Sequence, residues 1–243
     1  MLIRCIGAEW LKLRRSRLWL ILVSLPAFSM LIGCANFANN LGVLQNEWYS
    51  LWTQVSLFYG EFFLPILIAI CCAYLCRLEH LNKNWHLLLT APVPVAYPFI
   101  AKLTVTAVLL GFVQGLFALL FVGAGIAFGF GYEPPAELAG WIVRGWFAAV
   151  AIGAVQLLLS MRIQSFAAPI GIGLCAVFVG FGMYVAKLGL LFPHSLLTLG
   201  MGVLDQQALP AARLGLFYAM TGAYIILVSA LAIRRLRTAD AAA

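Results

Sequence analysis

The sequence predicts an all-α integral membrane protein, a bundle of six transmembrane helices. Of its 243 residues, 64% are hydrophobic and only 9% are charged, whereas about 25% of the residues of a soluble domain are charged. The apolar residues also fall in runs of about 20, the length that a helix needs to cross the hydrocarbon core. Because backbone polar groups in lipid must bond within their own segment, we expect these runs to be helices.

Six such runs fit within one domain, residues 1–243, and each is bounded by charged or turn residues. The third run is long enough to tilt or to extend beyond the membrane. No linker, internal repeat or low-complexity tract divides the chain. The predicted spans are 18–37, 57–76, 99–129, 137–160, 166–190 and 212–233.

Lysine and arginine are divided unevenly between the loops, and this division predicts the orientation. If the spans alternate in direction, twelve of the 15 lysines and arginines lie on one side, and only Lys187 and Arg213 lie on the other. The positive-inside rule thus explains the net charge of +7 better than nucleic-acid binding does. We expect a multi-pass protein of the bacterial cytoplasmic (inner) membrane, surrounded by the lipid bilayer, with both termini in the cytoplasm.

Residues 1–17 are predicted to form an amphipathic helix in the membrane interface, because four apolar residues share one helical face. A basic tail that only anchors the first span is the alternative. The motif LIGC at 31–34 also resembles a lipoprotein cleavage box, which would make residues 1–33 a removable signal. Such short matches arise easily in membrane sequences, so we expect the first span to be permanent. The four apolar residues are Ile3, Ile6, Trp10 and Leu13.

A polar stretch, residues 78–98, separates the second and third spans. It has no glycine or proline from Glu79 to Leu89, and prolines then follow at 92, 94 and 98. Because proline removes a backbone donor and restricts the preceding residue, the pattern predicts a short cytoplasmic helix followed by a rigid connector. The helix carries Trp85 and three leucines, which predict either a docking surface for a partner protein or a contact with the membrane interface.

On the opposite side, residues 191–211 are apolar for a loop, yet they are broken by glycine and proline. Irregular backbone at membrane depth must be buried in protein. We therefore expect a re-entrant segment of two short helices before the sixth span, and an ordinary surface loop is the alternative.

No sequence motif predicts catalysis. There is no phosphate-binding loop, no G-x-S-x-G motif, and no ligand spacing around His80, His86 or His194. We therefore expect no catalytic, cofactor-binding or metal-binding residue in this chain, and no enzyme activity of its own. Two ionisable residues within spans, Glu61 and Arg144, are candidates for a substrate path, because charge in lipid is costly. Both lie near the outer boundary, where a long side chain can reach water.

Two local motifs carry a family resemblance. EWLKLRRSRLWL at 9–20 precedes and enters the first span, and LEHLNKNWHLLLTAPVPVAYPFIAKL occupies 78–103. They resemble the connecting helix and the coupling-helix region (an acid, W-x-x-L-L-x-x-P and a distal lysine) of type-2 ABC transporter permeases. The second motif is most similar to the lantibiotic-immunity and bacitracin-resistance permeases. It departs from the broader family, which commonly has Gly-Thr where this chain has residues 82–84.

The resemblance implies a permease subunit of an ATP-driven ABC exporter whose coupling helix inserts into a separate cytoplasmic ABC ATPase. ATP and Mg²⁺ would bind to that ATPase, and a second permease, identical or similar, would complete the transporter. The implied substrate is amphipathic, and a lantibiotic-like peptide would connect the protein to antimicrobial peptide resistance. The alternatives are a non-transporting membrane scaffold or sensor, and an intramembrane enzyme. The implied ATPase contacts are Glu79, Asn84, Trp85, Leu88 and Thr90.

Overall fold

The computed structural model describes residues 1–14, 16–81, 93–206 and 209–240, and the regular elements within these ranges are all helices. A π-helical turn, Tyr59–Phe63, joins α3 to α4 without a break. The described helices are α1 (Leu2–Leu13), α2 (Leu18–Asn39), α3 (Glu47–Phe58), α4 (Leu64–Leu81), α5 (Ala96–Ala127), α6 (Leu138–Arg162), α7 (Ala167–Val185), α8 (Pro193–Gly200) and α9 (Ala211–Asp240).

Six helices are long and apolar enough to cross a membrane, which confirms the predicted number of spans and the multi-pass architecture. Successive spans run in opposite directions along the chain. One end of the bundle, the basic end, therefore holds α1, the end of α4, the start of α5 and the α6–α7 connection. The six are α2, the continuous helix Glu47–Leu81, α5, α6, α7 and α9.

The second spanning helix begins at Glu47, well before the expected start at residue 57. Its first three turns carry Trp48, Leu51 and Trp52, which are buried inside the protein. These turns pack against α2 instead of facing lipid, so they need not be uniformly apolar. The predicted span 57–76 lies inside this longer helix, and its bounds in the membrane stay a prediction.

Two other helices end before the last residues of the predicted spans, and the backbone shows why. Helix α5 stops at Ala127, because Gly129 adopts a positive φ of 87° and the Phe130 amide bonds back to the Gly125 carbonyl at 3.0 Å. Helix α7 stops at Val185 in the same way, with Lys187 at a φ of 61°. A residue in the left-handed conformation just beyond the last turn is a common way to close a helix.

An aromatic cluster fills the bundle at the end opposite to the basic end. The Trp52 and Trp141 rings stack with centroids 4.7 Å apart, and the Trp52 indole N–H donates to the Met201 carbonyl at 3.0 Å. Trp48 packs edge-on against Phe121. Its ring lies directly against Gly125, where an added Cβ would overlap it. These contacts hold the first turns of α3 against both α5 and α6.

Helix α8 lies beneath this cluster and is buried along nearly its whole length. It packs against α6, α7 and the π-helical turn. The close approach of α7 depends on Gly180, because a Cβ there would lie 2.5 Å from the Cβ of His194. The segment predicted to be re-entrant therefore contains one buried short helix among its described residues, and its membrane depth stays a prediction.

Candidate functional site

Four charged side chains meet at the basic end of the bundle, and we call them the ion network: Glu9, Lys12, Glu79 and Lys102. The Lys102 ammonium lies 2.9 Å from a Glu9 oxygen and 2.7 Å from a Glu79 oxygen. Lys12 bridges the same two carboxylates at 2.7 and 2.6 Å. Lys102 also donates to the Leu75 carbonyl at 2.7 Å. The network therefore joins three helices, α1, α4 and α5.

Local helical geometry brings these residues together. Glu9 and Lys12 are three apart on α1, so their side chains are neighbours on the face that packs against α5. Glu79 lies in the last turn of α4, and Lys102 lies in the second turn of α5. Leu13 on α1 is buried beside them and seals that face.

The network is balanced in charge, and its members other than Lys12, whose side chain is 25% exposed, are almost fully buried. The Lys102 side chain is 0% exposed, and those of Glu9 and Glu79 are 5% and 4% exposed. Two lysines and two glutamates give no net charge, which is the condition for burying ions without a large penalty. One Glu79 oxygen, Oε2, has no hydrogen-bond partner among the described residues. Glu79 therefore keeps an unused acceptor inside the network.

Beside the network, His80 points to α6, where its Nε2 lies 2.7 Å from the Ser160 carbonyl. The carbonyl can only accept, so the imidazole donates at this nitrogen. The last turn of α4 is thus tied on one side to α1 and α5 and on the other to α6.

Glu61 lies far from this network, within the π-helical turn. It is 4% exposed, and its Oε1 atom has no hydrogen-bond partner among the described residues. π-Helical turns are rare in proteins, and those that occur are often at functional sites. The predicted role of Glu61 in a substrate path stays a prediction.

Arg144 does not pair with Glu61 among the described residues. Its Nε donates to the Gly200 carbonyl at 3.1 Å, at the end of α8. A carbonyl at a helix C-terminus is a favourable partner for a cation. This contact explains how the charge is accommodated in α6, and it assigns Arg144 a role in holding α8.

Close to Thr198 on α8, the His194 ring is 7% exposed, and neither of its nitrogens has a partner among the described residues. Burial lowers the pKa of His194 to about 4. The ring is therefore neutral at physiological pH, and it packs flat against Phe192 with centroids 5.4 Å apart. We find no sign that it acts as a charged group.

The sequence profile of the ABC-2 family transporter proteins matches residues 5–180, well over half of the chain. The chain belongs to this family. A comparison with curated proteins gave no match. The matched range runs from α1 into α7 and includes all four members of the ion network.

Members of the ABC-2 family are membrane components of ABC transporters that work with an ABC ATPase, and they are not themselves catalytic. This agrees with the predicted permease class. Within the described residues, no group of three or more histidines, cysteines or acidic side chains is placed to hold a metal ion.

The predicted ATPase contacts of this ABC-2 protein divide into two groups. Glu79 is described, and its carboxylate is bonded inside the chain to Lys12 and Lys102. The other four, Asn84, Trp85, Leu88 and Thr90, lie outside the described residues, so their docking role stays a prediction.

Sequence reasoning missed the pairing itself. The two motifs contain all four residues of the network, but charge counting placed Lys12 among anchoring charges and gave Glu9 no role. The available signal was the helical spacing of Glu9 and Lys12, which makes an acid and a base neighbours on α1.

Proposed function

We propose that this ABC-2 protein is the permease subunit of an exporter that is driven by a separate cytoplasmic ATPase. The substrate we propose is amphipathic, with a lantibiotic-like peptide as the first candidate, and the protein would then serve antimicrobial peptide resistance. A second permease, identical or similar, completes the transporter. ATP and Mg²⁺ bind only to the partner. Both termini lie in the cytoplasm.

The observation that carries this proposal is the ion network, because of where it lies along the chain. Glu79 and Lys102 stand near the two ends of the predicted docking segment, residues 78–98, and they bond to each other at 2.7 Å. Each also bonds to α1, through Lys12 and Glu9. A force applied to the docking segment is therefore delivered to α1, α4 and α5 together.

This rigid connection supports the coupling role. Closure of an ATPase dimer shifts a transporter between conformations only if the moving part holds different contacts in each. In the proposed cycle, the docking segment follows the ATPase and the network carries the motion into the second and third spans. Glu79 then acts as a positioning residue for the segment, while Trp85 and Leu88 make the contact.

Co-purification with the ATPase tests this proposal. The tagged chain is isolated from its native host as wild type, Trp85→Ala and Leu88→Asp, and bound ATPase is quantified by mass spectrometry and by ATP hydrolysis. We expect both variants to lose about tenfold or more of the bound ATPase, because such losses are typical of interface anchors. Leu41→Asp is the matched control, since Leu41 is 54% exposed at the opposite end of the bundle.

Full retention of the ATPase by both docking variants would contradict the coupling role. Transport is tested separately, with the complex in vesicles and a lantibiotic as the probe. ATP-dependent movement of the peptide supports export. A bound ATPase without such movement, for this and other amphipathic probes, would favour the scaffold or sensor alternative.

A further inference from the structure

A cavity of about 410 Å³ opens at the basic end of the bundle, between the end of α4 and the α6–α7 connection. The ion network does not line it. Such a volume is within the range of small-molecule sites in proteins. Arg77 and His80 line it on one side, and Gln164, Ser165 and Phe166 line it on the other.

The lining of the cavity is suited to an anion. Arg77 contributes a guanidinium, and none of the described lining residues is acidic. Arg77 has no carboxylate partner among the described residues. Its guanidinium carbon lies 5.7 Å above the centre of the Phe166 ring, so the charge is held across the mouth of the cavity. Helix α7 starts beside it at Ala167, and a helix N-terminus favours negative charge.

Ser160 supplies an independent sign of a ligand. It lines the cavity and is only 2% exposed, yet its hydroxyl has no hydrogen-bond partner among the described residues. A buried hydroxyl without a partner costs free energy, and such groups normally bind water or a ligand. A phosphate or similar oxyanion would satisfy this hydroxyl and Arg77 at once.

The position of the cavity favours a lipid as the source of the anion. It lies where α4, α6 and α7 enter the membrane, and its floor includes the apolar residues Ala73 and Pro169. Helix α7 is also one of the two spans least buried by the rest of the protein. A phospholipid whose headgroup lies in the cavity would therefore place its acyl chains along the exposed face of α7.

We propose that this cavity binds the phosphate of an anionic phospholipid headgroup from the leaflet at the basic end of the bundle. Arg77 makes the charged contact, and Ser160 and the N-terminus of α7 complete the site. The inference does not depend on the docking of an ATPase, so the two proposals can fail separately.

The test measures lipid retained by the purified full-length chain. The chain is prepared in detergent with equal amounts of phosphatidylglycerol and phosphatidylcholine, and native mass spectrometry reads the bound lipid. We expect wild type to retain phosphatidylglycerol preferentially. Arg77→Gln removes the charge and Gln164→Trp fills the cavity without changing charge, so each should reduce retention about tenfold. Arg234→Gln, at an exposed position of the same end, is the matched control and should bind as wild type does.

Three results would overturn the proposal. The first is equal retention of both lipids by wild type, and the second is unchanged retention in Arg77→Gln and Gln164→Trp. In a third arm, inorganic phosphate alone is offered to the delipidated chain. If phosphate binds to wild type and not to Arg77→Gln, while neither lipid is retained, the cavity is a site for free phosphate, and the lipid assignment is wrong. Size-exclusion profiles establish that each variant is folded.

Discussion

Lys102 shows how a single residue is made to fit where its chemistry is unfavourable. An ammonium with 0% exposure is tolerated because two carboxylates and a carbonyl surround it within 2.9 Å. Removing one member of a buried ion pair leaves the remaining charge without compensation, and this costs about 3–5 kcal/mol. The network is therefore sensitive to any single substitution.

We predict that Lys102→Met destabilises the protein strongly. The methionine fills similar volume but leaves Glu9 and Glu79 with Lys12 as their only cation among the described residues. The expected decrease in melting temperature is roughly 10 °C, measured by thermal unfolding of the purified chain in detergent. Lys187→Met is the matched control, because Lys187 is exposed, and it should melt as wild type does.

A double variant separates charge from shape. Glu9→Gln combined with Lys102→Met removes one charge of each sign, so its loss should be smaller than the sum of the two single losses. Contacting residues typically show such coupling at about 0.5–3 kcal/mol. Additive losses, or a wild-type melting temperature for Lys102→Met, would show that the ion pairs contribute nothing.

At the scale of elements, two helices can approach closely only where one of them carries a small residue at the contact. α3 approaches α5 through the ring of Trp48, which lies against Gly125. Close helix contacts in membranes depend on such small residues. The same helix also has Gly123, where an added Cβ would meet nothing within 4 Å. The two glycines are two residues apart and differ in what faces them.

We predict opposite outcomes for Gly125→Ala and Gly123→Ala. The first forces Trp48 or a helix backbone to move, which should cost about 1–3 kcal/mol. The second should leave stability unchanged or raise it by up to about 1 kcal/mol, because alanine favours the helix. Thermal unfolding in detergent, read by fluorescence-detected size exclusion, measures both. Equal effects of the two substitutions would contradict this packing.

The comparison of sequence with structure is most informative at this level. Hydropathy predicted all six spanning helices, because lipid-facing surface must be apolar over about 20 residues. It did not predict that the second helix starts at Glu47. Tryptophans such as Trp48 and Trp52 are buried by other helices and not by lipid, so an average over a window does not register them.

The ion network was out of reach for a related reason. Glu79 and Lys102 were assigned to the coupling region by resemblance, but Glu9 lies 93 positions from its partner Lys102. A pairing over such a distance depends on how α1 folds back onto α5. Charge counting assigned Lys12 to the basic residues that set the orientation. Such a residue can also form an ion pair, but the count does not indicate whether it does.

At the scale of the whole molecule, the distribution of charge predicts how the protein lies in the membrane. The basic end should face the cytoplasm, and the opposite end, with the α5–α6 connection, should face outward. Tyr132, in that connection, is 84% exposed. Ser165, between α6 and α7, is exposed at the basic end. Labelling at these two positions therefore shows which side of the membrane each end of the bundle faces.

We therefore predict that Tyr132→Cys reacts with a membrane-impermeant maleimide in intact cells. Ser165→Cys should react only after the membrane is permeabilised. The wild-type chain, with its six native cysteines, gives the background for both. Labelling of Ser165→Cys in intact cells, with Tyr132→Cys protected, would establish the reverse orientation.

The order of the charges along the chain also bears on how the protein is made. Glu9, Lys12 and Glu79 all leave the ribosome before Lys102 does, so the lysine emerges to partners that are already outside. The first three spans and α1 can then lock together before the later spans have emerged. Biogenesis would thus proceed from an N-terminal half whose ion network is already closed and neutral. A chain with a defect in this network would present an uncompensated charge to membrane quality control from the start.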